Sequence, residues 1–458
     1  MLEAMRLTDL VEPLSARLVG DDAVFGAVGT DSRAIRPGEL FVALAGPRFD
    51  GHAYLADVEA QGASAALVER HVAEVSLPQL VVADARIALG QLGARNRARF
   101  GGPVAAVTGS SGKTSVKELL ASILRVAYGA DAVLATRGNL NNDLGAPLTL
   151  LELAPAHQAA VIELGASRVG EIAYTVSLTQ PDVSLITNAG TAHVGEFGGP
   201  DRIVEAKGEI LDGLRADGVA VLNRDDPAFA TWKKRAAGRR VVSFALQSPL
   251  ADFHPASIGY DRRGCPNFVL TGPQGSVRVQ LNLLGRHSVA NALAAAAAAH
   301  ALGVSVEHIV AGLESLQPVK GRGVAQMLGN GVRLIDDSYN ANPGSICAAI
   351  DVLASFAGRT VLALGDMGEL GEWAEQGHRD VGRYAVGKVD ALFAVGPLMK
   401  HAVDAFGAGG RHFADQASLI AALRLEQGNA TTLLVKGSRS AAMDKVVTAL
   451  SASGMENH

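Results

Sequence analysis

The chain predicts an α/β protein of three domains, and three observations carry that expectation. Near-continuous Val/Ile/Leu runs recur along its 458 residues, each ending in polar residues, as in parallel strands buried on both faces. Segments with helical spacing of apolar residues stand between them, so strand and helix alternate. One strand–helix pair is joined by a glycine-rich turn, Thr108-Gly109-Ser110-Ser111-Gly112-Lys113-Thr114-Ser115. The length exceeds what one hydrophobic core supports. We therefore expect an N-terminal α/β domain over 1–100, a central P-loop-type parallel-sheet domain over 101–316 and a C-terminal Rossmann-like α/β domain over 317–458.

Composition narrows the function. With 48% hydrophobic and 19% charged residues the chain is folded rather than disordered. A formal net charge of −5 argues against a nucleic-acid surface, which needs a basic patch. No basic run exceeds Lys233-Lys234-Arg235, which reads as a solvated helix end. Cys265 and Cys347 form no CxxC pair, so neither a disulfide framework nor a zinc site is expected. Met1 to Arg6 lacks a charged-then-apolar signal pattern, and the alanine-rich stretch Val289 to Val304 is too weakly hydrophobic to span a bilayer. These features predict a soluble, cytoplasmic protein without membrane insertion.

In the N-terminal domain Leu40-Phe41-Val42-Ala43-Leu44 and Ala65-Ala66-Leu67-Val68 read as short alternations. Two polar clusters stand between them, Thr30-Asp31-Ser32-Arg33 and Gly46-Pro47-Arg48-Phe49-Asp50-Gly51-His52. Both also fit ordinary loop chemistry.

The central domain opens with the apolar run Val104 to Val107, the glycine turn, and then Val116, Leu119, Leu120, Ile123 and Leu124 at helical spacing. Strand, tight turn and helix in that order gather backbone N–H groups and the positive end of a helix at one point, which suits a polyphosphate. Lys113 adds a charge for the outer phosphates and Thr114 a hydroxyl for Mg²⁺. The turn departs from the common P-loop string, because Val107 stands where the first glycine belongs. Further runs at Ala159–Ile162, Val183–Ile186 and Val219–Leu222 place Glu163, Thr187-Asn188 and Asn223, Asp225 and Asp226 at the carboxyl ends of strands, where ligands collect. Glu163 suits a metal-holding carboxylate, or else a helix-cap partner of Ser167. On spacing alone, His193 is a lone loop histidine and Lys207 an exposed helix lysine. From Val241 to Leu284 the pattern shortens and alternates, predicting an antiparallel edge or insertion. The helix from Val289 to Leu302 is alanine-rich enough to pack very closely on a neighbour.

A Pro/Gly linker near Gln317 to Gly321 begins the C-terminal domain. Its strand-like runs are Val332–Ile335, Val361–Leu364, Ala391–Val395 and Thr432–Val435. Polar clusters follow three of them: Asp336 to Pro343, Gly365 to Gly371, and Lys436-Gly437-Ser438-Arg439. Three such clusters at strand ends in one domain predict a single ligand crevice.

Taken in order, these clusters resemble the Mur ligases, the ATP-dependent amide ligases of peptidoglycan synthesis. The resemblance rests on Asp31-Ser32-Arg33, Phe49 to His52, Thr108 to Ser115, Gly138 to Asn142, Glu163 to Ala166, Thr187 to His193, Lys207 to Ile210, Gly285-Arg286-His287, Asp337 to Pro343, Gly365-Asp366-Met367 and Lys436 to Arg439. Asp337 to Pro343 looks like the pattern of the D-alanyl-D-alanine-adding members, and the Asp-Asn-Pro-Arg string of the diamino-acid-adding members is absent. Where the family usually has Asn after Arg286-His287 this chain has Ser288, leaving Asn291 as the candidate for the adenine.

The resemblance implies a set of roles. ATP would lie on Gly109, Ser110, Ser111, Gly112, Lys113, Thr114, Ser115, Asn291, Arg322 and Asp337. The catalytic residues would be Lys113, Glu163, His193 and Lys207, with Thr114, Glu163, His193 and a carbamylated Lys207 holding two Mg²⁺ ions. Asp31, Ser32, Arg33, Phe49, Asp50, Gly51 and His52 would bind a UDP-N-acetylmuramoyl tripeptide. Asn139, Asn142, Asn340, Asn342, Lys436, Ser438 and Arg439 would complete the substrate sites, with D-alanyl-D-alanine as the amine. A monomer acting only on small molecules is implied. A different ligase on this scaffold, of the folylpolyglutamate type, and a non-ligase P-loop NTPase remain alternatives.

Overall fold

Each of three regions of the chain carries its own open sheet with helices on its faces. The computed structural model describes residues 1–46, 49–190, 197–261, 264–318, 320–426, 428 and 430–452. In the first region the strand order is Arg17–Val19, Gln79–Val81, Ala65–Val68, Glu39–Val42, Ala27–Gly29, parallel except for Arg17–Val19. Leu40 to Leu44 does not alternate between core and solvent; every one of these side chains is buried. The reason is that both sheet faces are covered. Leu40 and Val42 pack with Leu89 and Leu92 of helix Ala85–Ala98, and Phe41 and Ala43 pack with Leu55 and Val58 of helix Leu55–Ala60.

The central sheet has six parallel strands in the order Val133–Ala135, Ala159–Glu163, Val104–Thr108, Val183–Ile186, Val219–Asn223, Arg240–Phe244. The strand leading into the glycine turn thus lies between the strands ending in Glu163 and Ile186. Helices Lys113–Tyr128 and Arg286–Ala301 share one apolar core on this sheet. Ala292 and Ala294 to Ala299 are essentially without exposure, because small side chains let two helices and a sheet approach closely. The expected insertion begins later than the sequence pattern suggests. Arg240–Phe244 is the sixth parallel strand, and the antiparallel meander is His254–Tyr260, Pro266–Gly272 and Gly275–Gln280. The basic run at 233–235 is also not simply solvated. Arg235 makes a two-point contact with Asp212 at 2.9 and 2.6 Å and donates to the Glu205 carbonyl at 3.0 Å, bracing the helix that carries Lys207.

The last region orders its strands Val324–Met327, Arg333–Asp337, Thr431–Lys436, Arg359–Gly365, Ala391–Val395, Gly410–Phe413, all parallel except the first. Its three polar clusters follow three adjacent strands. The Ser438 N–H donates to the Asp366 carbonyl at 3.0 Å, joining two of them directly. Among the described residues no helix is long and apolar enough to cross a membrane.

Candidate active site

The glycine turn is held open by two backbone conformations that side chains rarely adopt, φ +147° at Gly109 and +80° at Gly112. A Cβ at Gly109 would stand 1.9 Å from Thr187 Oγ1, and one at Gly112 would stand 2.6 Å from Asn291 Oδ1. Both glycines are therefore required by neighbours as well as by φ. Thr187 and Asn188, ending the next strand, fix the turn from outside. Thr187 Oγ1 donates to the Ser111 carbonyl at 2.6 Å, Asn188 Oδ1 accepts from the Ser111 N–H at 3.1 Å, and the Ser110 N–H donates to the Asn188 carbonyl at 3.0 Å. Lys113 lies half-buried with Nζ donating to the Gly109 carbonyl at 2.7 Å, folded back across the turn. Desolvation lowers its pKa, opposed by the charge of Glu163.

Glu163 closes one side of this site. Its Oε1 accepts from Asn141 Nδ2 at 2.8 Å, while its Oε2 is buried without a hydrogen-bond partner among the described residues. Such an oxygen is costly unless something positive meets it. With the Thr114 hydroxyl at the start of the helix that follows the adjacent strand, and an all-oxygen donor set, these residues fit a hard divalent cation such as Mg²⁺. Ser167 is not the partner of Glu163; its N–H donates to Glu171 at 2.7 Å.

Lys207 is only 1% exposed, on helix Pro200–Gly208, with Nζ 3.5 Å from the Ala166 carbonyl and 4.9 Å from the Phe197 ring centroid. It is not the exposed lysine that spacing suggests, since the helix turns it inward. Burial first, and the charge of Lys113 second, bring its pKa down to about 7. A neutral amine at ordinary pH is what carbamylation by CO₂ requires. Glu209, two residues on, spends both carboxylate oxygens on the Gly170 and Ala173 N–H groups at 2.6 and 2.9 Å, tying this helix to the loop after Glu163. His193 lies outside the described residues, and among the described residues no cluster of three or more His, Cys, Asp or Glu groups is present.

Arg322 lines a cleft with Thr114, Ser115 and Glu118, and so reaches the nucleotide-turn helix from the C-terminal region. Asp337 ends its strand in an ion pair with buried Lys436 at 2.7 Å, and Lys436 also donates to the Asn340 carbonyl at 2.8 Å. The guanidinium groups of Arg322 and Arg439 lie 4.3 and 5.5 Å from the centroid of the Tyr339 ring. Ser438 is buried at the same strand end. Two asparagines are occupied locally. Asn142 Oδ1 accepts from the Gly145 N–H at 2.8 Å, and Asn342 Oδ1 accepts from the Ser345 N–H at 2.9 Å as the N-cap of helix Pro343–Ala354. Asn139 lies on the exposed turn before Asn141, and the Asn340 side chain accepts from the next backbone N–H.

In the first region Asp50, His52 and Arg70 form one network. His52 is buried, accepts from the Glu69 N–H at Nε2 (3.0 Å) and faces Asp50 with Nδ1 at 2.6 Å, which assigns the proton to Nδ1. Arg70, then His52, hold the Asp50 carboxyl well below the usual range. Gly51 cannot carry a side chain, since its Cβ would stand 2.8 Å from the Leu44 carbonyl oxygen. Phe49 is 56% exposed. Arg33 pairs with Asp31 in a two-point contact at 2.8 and 2.7 Å, which brings the Asp31 pKa down to about 2. Ser32 offers its carbonyl to Gln61 at 2.8 Å.

Asn141, Thr187, Asn188 and Tyr339 belong to the site by contact, although sequence reasoning gave them no role. Their strand-end or turn positions, and their places in the motif strings behind the resemblance, pointed to them without assigning a role.

A parallel sheet whose central strand turns through two glycines into a helix, with a metal-ready carboxylate on the adjacent strand and an arginine arriving from a second α/β sheet, defines a nucleotide-dependent transferase or ligase with a site shared between regions. Comparison with known proteins specifies it. The Mur ligase family catalytic domain matches residues 25–97, the Mur ligase middle domain 107–299 and the Mur ligase glutamate ligase domain 321–439. The UDP-N-acetylmuramoyl-tripeptide--D-alanyl-D-alanine ligase of Escherichia coli K12 is 45% identical over 98% of this chain and 99% of its own. A crystal structure of MurF from Acinetobacter baumannii superposes with a TM-score of 0.93 at 41% identity, covering 98% of this chain and 99% of that one. MurF of Thermotoga maritima in complex with ADP superposes at 0.86 and 28% identity, covering 94% and 98%. The chain belongs to the Mur ligase family.

Proposed function

We infer that this chain is the ATP-dependent ligase that joins D-alanyl-D-alanine to UDP-N-acetylmuramoyl tripeptide, giving the pentapeptide precursor of peptidoglycan. The relatives of like length that carry this activity match the chain end to end. The observation that carries the chemistry is the open glycine turn beside a strand that ends in a buried Glu163 oxygen with no partner among the described residues. In mechanism, the terminal carboxylate of the tripeptide attacks the γ-phosphorus of ATP. The bond to ADP breaks, and an acyl phosphate forms. The dipeptide amine then attacks the acyl carbon, loses a proton, and inorganic phosphate leaves with the former carboxylate oxygen.

Backbone N–H groups from Gly109 to Ser115 and the helix start hold the phosphates, and Lys113 swings from the Gly109 carbonyl onto the transferring group. Asn291 and Asp337 flank the nucleoside, and Arg322 reaches the nucleotide from the C-terminal domain. Thr114, Glu163, His193 and carbamylated Lys207 would hold Mg²⁺, which supplies charge neutralisation between carboxylate and phosphate. The domain of residues 1–100 takes the UDP end at Asp31, Ser32, Arg33 and Phe49 to His52. The domain of residues 317–458 presents the dipeptide near Asn340, Ser438 and Arg439. Domain closure would exclude water from the acyl phosphate. The protein acts in the cytoplasm as a monomer.

The test is phosphate release from ATP with each substrate omitted in turn, supplying tripeptides with lysine or meso-diaminopimelate at the third position. Release requiring tripeptide, dipeptide and ATP together is expected. Release with ATP alone would instead support a plain NTPase.

A further inference from the structure

Tyr339 stands half-buried at the mouth of the C-terminal crevice and carries two cations on one ring. The Arg322 guanidinium lies 4.3 Å and the Arg439 guanidinium 5.5 Å from its centroid. Neither guanidinium forms an ion pair or hydrogen bond with a described residue, so both forks of N–H donors are unspent. Two close like charges without a carboxylate partner are unfavourable by themselves, and such an arrangement is stabilised when anions arrive.

The two arginines come to the ring from different segments of the chain. Arg322 is placed by Gly321, which has φ +77° and whose carbonyl accepts from the Tyr339 N–H at 3.0 Å. A Cβ at Gly321 would stand 3.2 Å from that of Tyr339, so linker and ring are pressed together. From there Arg322 lines the cleft with Thr114 and Ser115. Arg439 is exposed at the end of strand Thr431–Lys436, following buried Ser438. One arginine thus lines the cleft at the nucleotide-turn helix and the other belongs to the strand-end cluster assigned to the dipeptide, with one aromatic ring common to both.

We propose that Tyr339 is a positioning residue that couples the two substrates: its ring holds Arg322 for the phosphates of ATP and Arg439 for the carboxylate of the acceptor dipeptide. The inference rests on the ligase reading above. When either anion docks, its arginine and the shared ring become ordered together, so the second anion meets a partly fixed partner. That gives positive coupling, and linkage requires it to be reciprocal. Its ceiling is the cost of freezing one long side chain, about two- to tenfold in affinity. The hydroxyl of Tyr339 makes no hydrogen bond to a described residue, so the ring alone carries the effect.

The experiment is calorimetric titration of D-alanyl-D-alanine into the full-length enzyme saturated with UDP-muramoyl tripeptide, with and without β,γ-methylene-ATP. Wild type and Tyr339→Phe should bind the dipeptide about two- to tenfold more tightly when the nucleotide analogue is present. Tyr339→Leu should lose that difference and raise the dipeptide KM by the same factor, with a melting midpoint close to wild type. A Leu variant that keeps the coupling, or a Phe variant that loses it, overturns the proposal. Should the Leu variant not fold, an Arg322→Lys and Arg439→Lys double-mutant cycle reads the same sharing, and additive effects on dipeptide affinity overturn it. A wild type that ligates without coupling sinks this inference alone, whereas a wild type that ligates nothing sinks the ligase reading.

Discussion

Replacing Glu163 by glutamine should move stability and activity in opposite directions. The amide keeps the oxygen that accepts from Asn141 at 2.8 Å, and it puts an uncharged NH₂ group in place of the buried oxygen that has no partner among the described residues. An unsatisfied buried polar atom costs roughly 1–3 kcal/mol, more when charged. Against that relief stands the lost attraction for Lys113, whose pKa the Glu163 charge raises. Lys113 keeps its hydrogen bond to the Gly109 carbonyl at 2.7 Å in either protein, so the lost attraction is the smaller term and relief wins by about 1 kcal/mol. In a central domain of this size such a surplus raises the melting midpoint by about 2–4 °C. Activity should fall at least a hundredfold or so, since an anionic metal ligand, the role proposed for Glu163, matters more than the outer partners whose loss costs about 10–100-fold. Calorimetric melting without metal or nucleotide, beside phosphate release with all substrates, reads both. A Glu163→Gln protein that melts below wild type, or keeps its turnover, would refute the reasoning.

Lys207 supplies a pH prediction. Its folded pKa, about 7, lies below its ordinary 10.5, so the unfolded chain retains a proton that the folded chain releases between those values. Stability of the uncarbamylated protein should therefore rise with pH from about 7 upward, as the free amine able to take up CO₂ becomes available. With dissolved ¹³C-labelled CO₂ held constant, a carbamate carbon signal should grow as pH climbs through about 7 and be missing in Lys207→Ala; a signal indifferent to pH would contradict this. Lys436→Met leaves the Asp337 carboxylate without its partner at 2.7 Å, where the Asp337 side chain is 23% exposed. Removing one member of a buried pair costs about 3–5 kcal/mol, discounted here to about 2–3 kcal/mol by that exposure. Calorimetry should show a large loss in the C-terminal domain, while Arg33→Gln, at an exposed surface pair, should leave melting unchanged and raise the KM for the UDP substrate.

Much of the fold was legible because buried parallel strands write themselves as unbroken apolar runs. Val104–Val107, Ala159–Ile162 and Val361–Leu364 all fall on strands of the expected kind. Leu40 to Leu44 misled, because alternation is judged from side-chain type while burial depends on which helices cover each face. Val241 misled for the opposite reason. The parallel strand Arg240–Phe244 begins with exposed Arg240 and partly exposed Val241, so its opening reads like an edge. At the site, Gly109, Gly112, Lys113 and Thr114 announce themselves, since glycine conformation and phosphate charge are local requirements. Lys207 does not, because its inward turn depends on Trp232 and Arg235 packing beneath its helix, which no spacing encodes. Asn142 and Asn342 carry motif positions, yet the side chain of Asn142 accepts from the Gly145 N–H and that of Asn342 caps a helix, and Asn141 is the residue that meets Glu163. Which of several adjacent asparagines faces a ligand is settled by a turn, not by composition.

The most direct measurement follows oxygen. Tripeptide labelled with ¹⁸O in its terminal carboxylate, incubated with enzyme, ATP and D-alanyl-D-alanine, should pass one labelled oxygen into inorganic phosphate for each amide bond formed. Phosphate free of label, with the pentapeptide product still accumulating, would contradict attack of that carboxylate on the phosphoryl group held at the glycine turn.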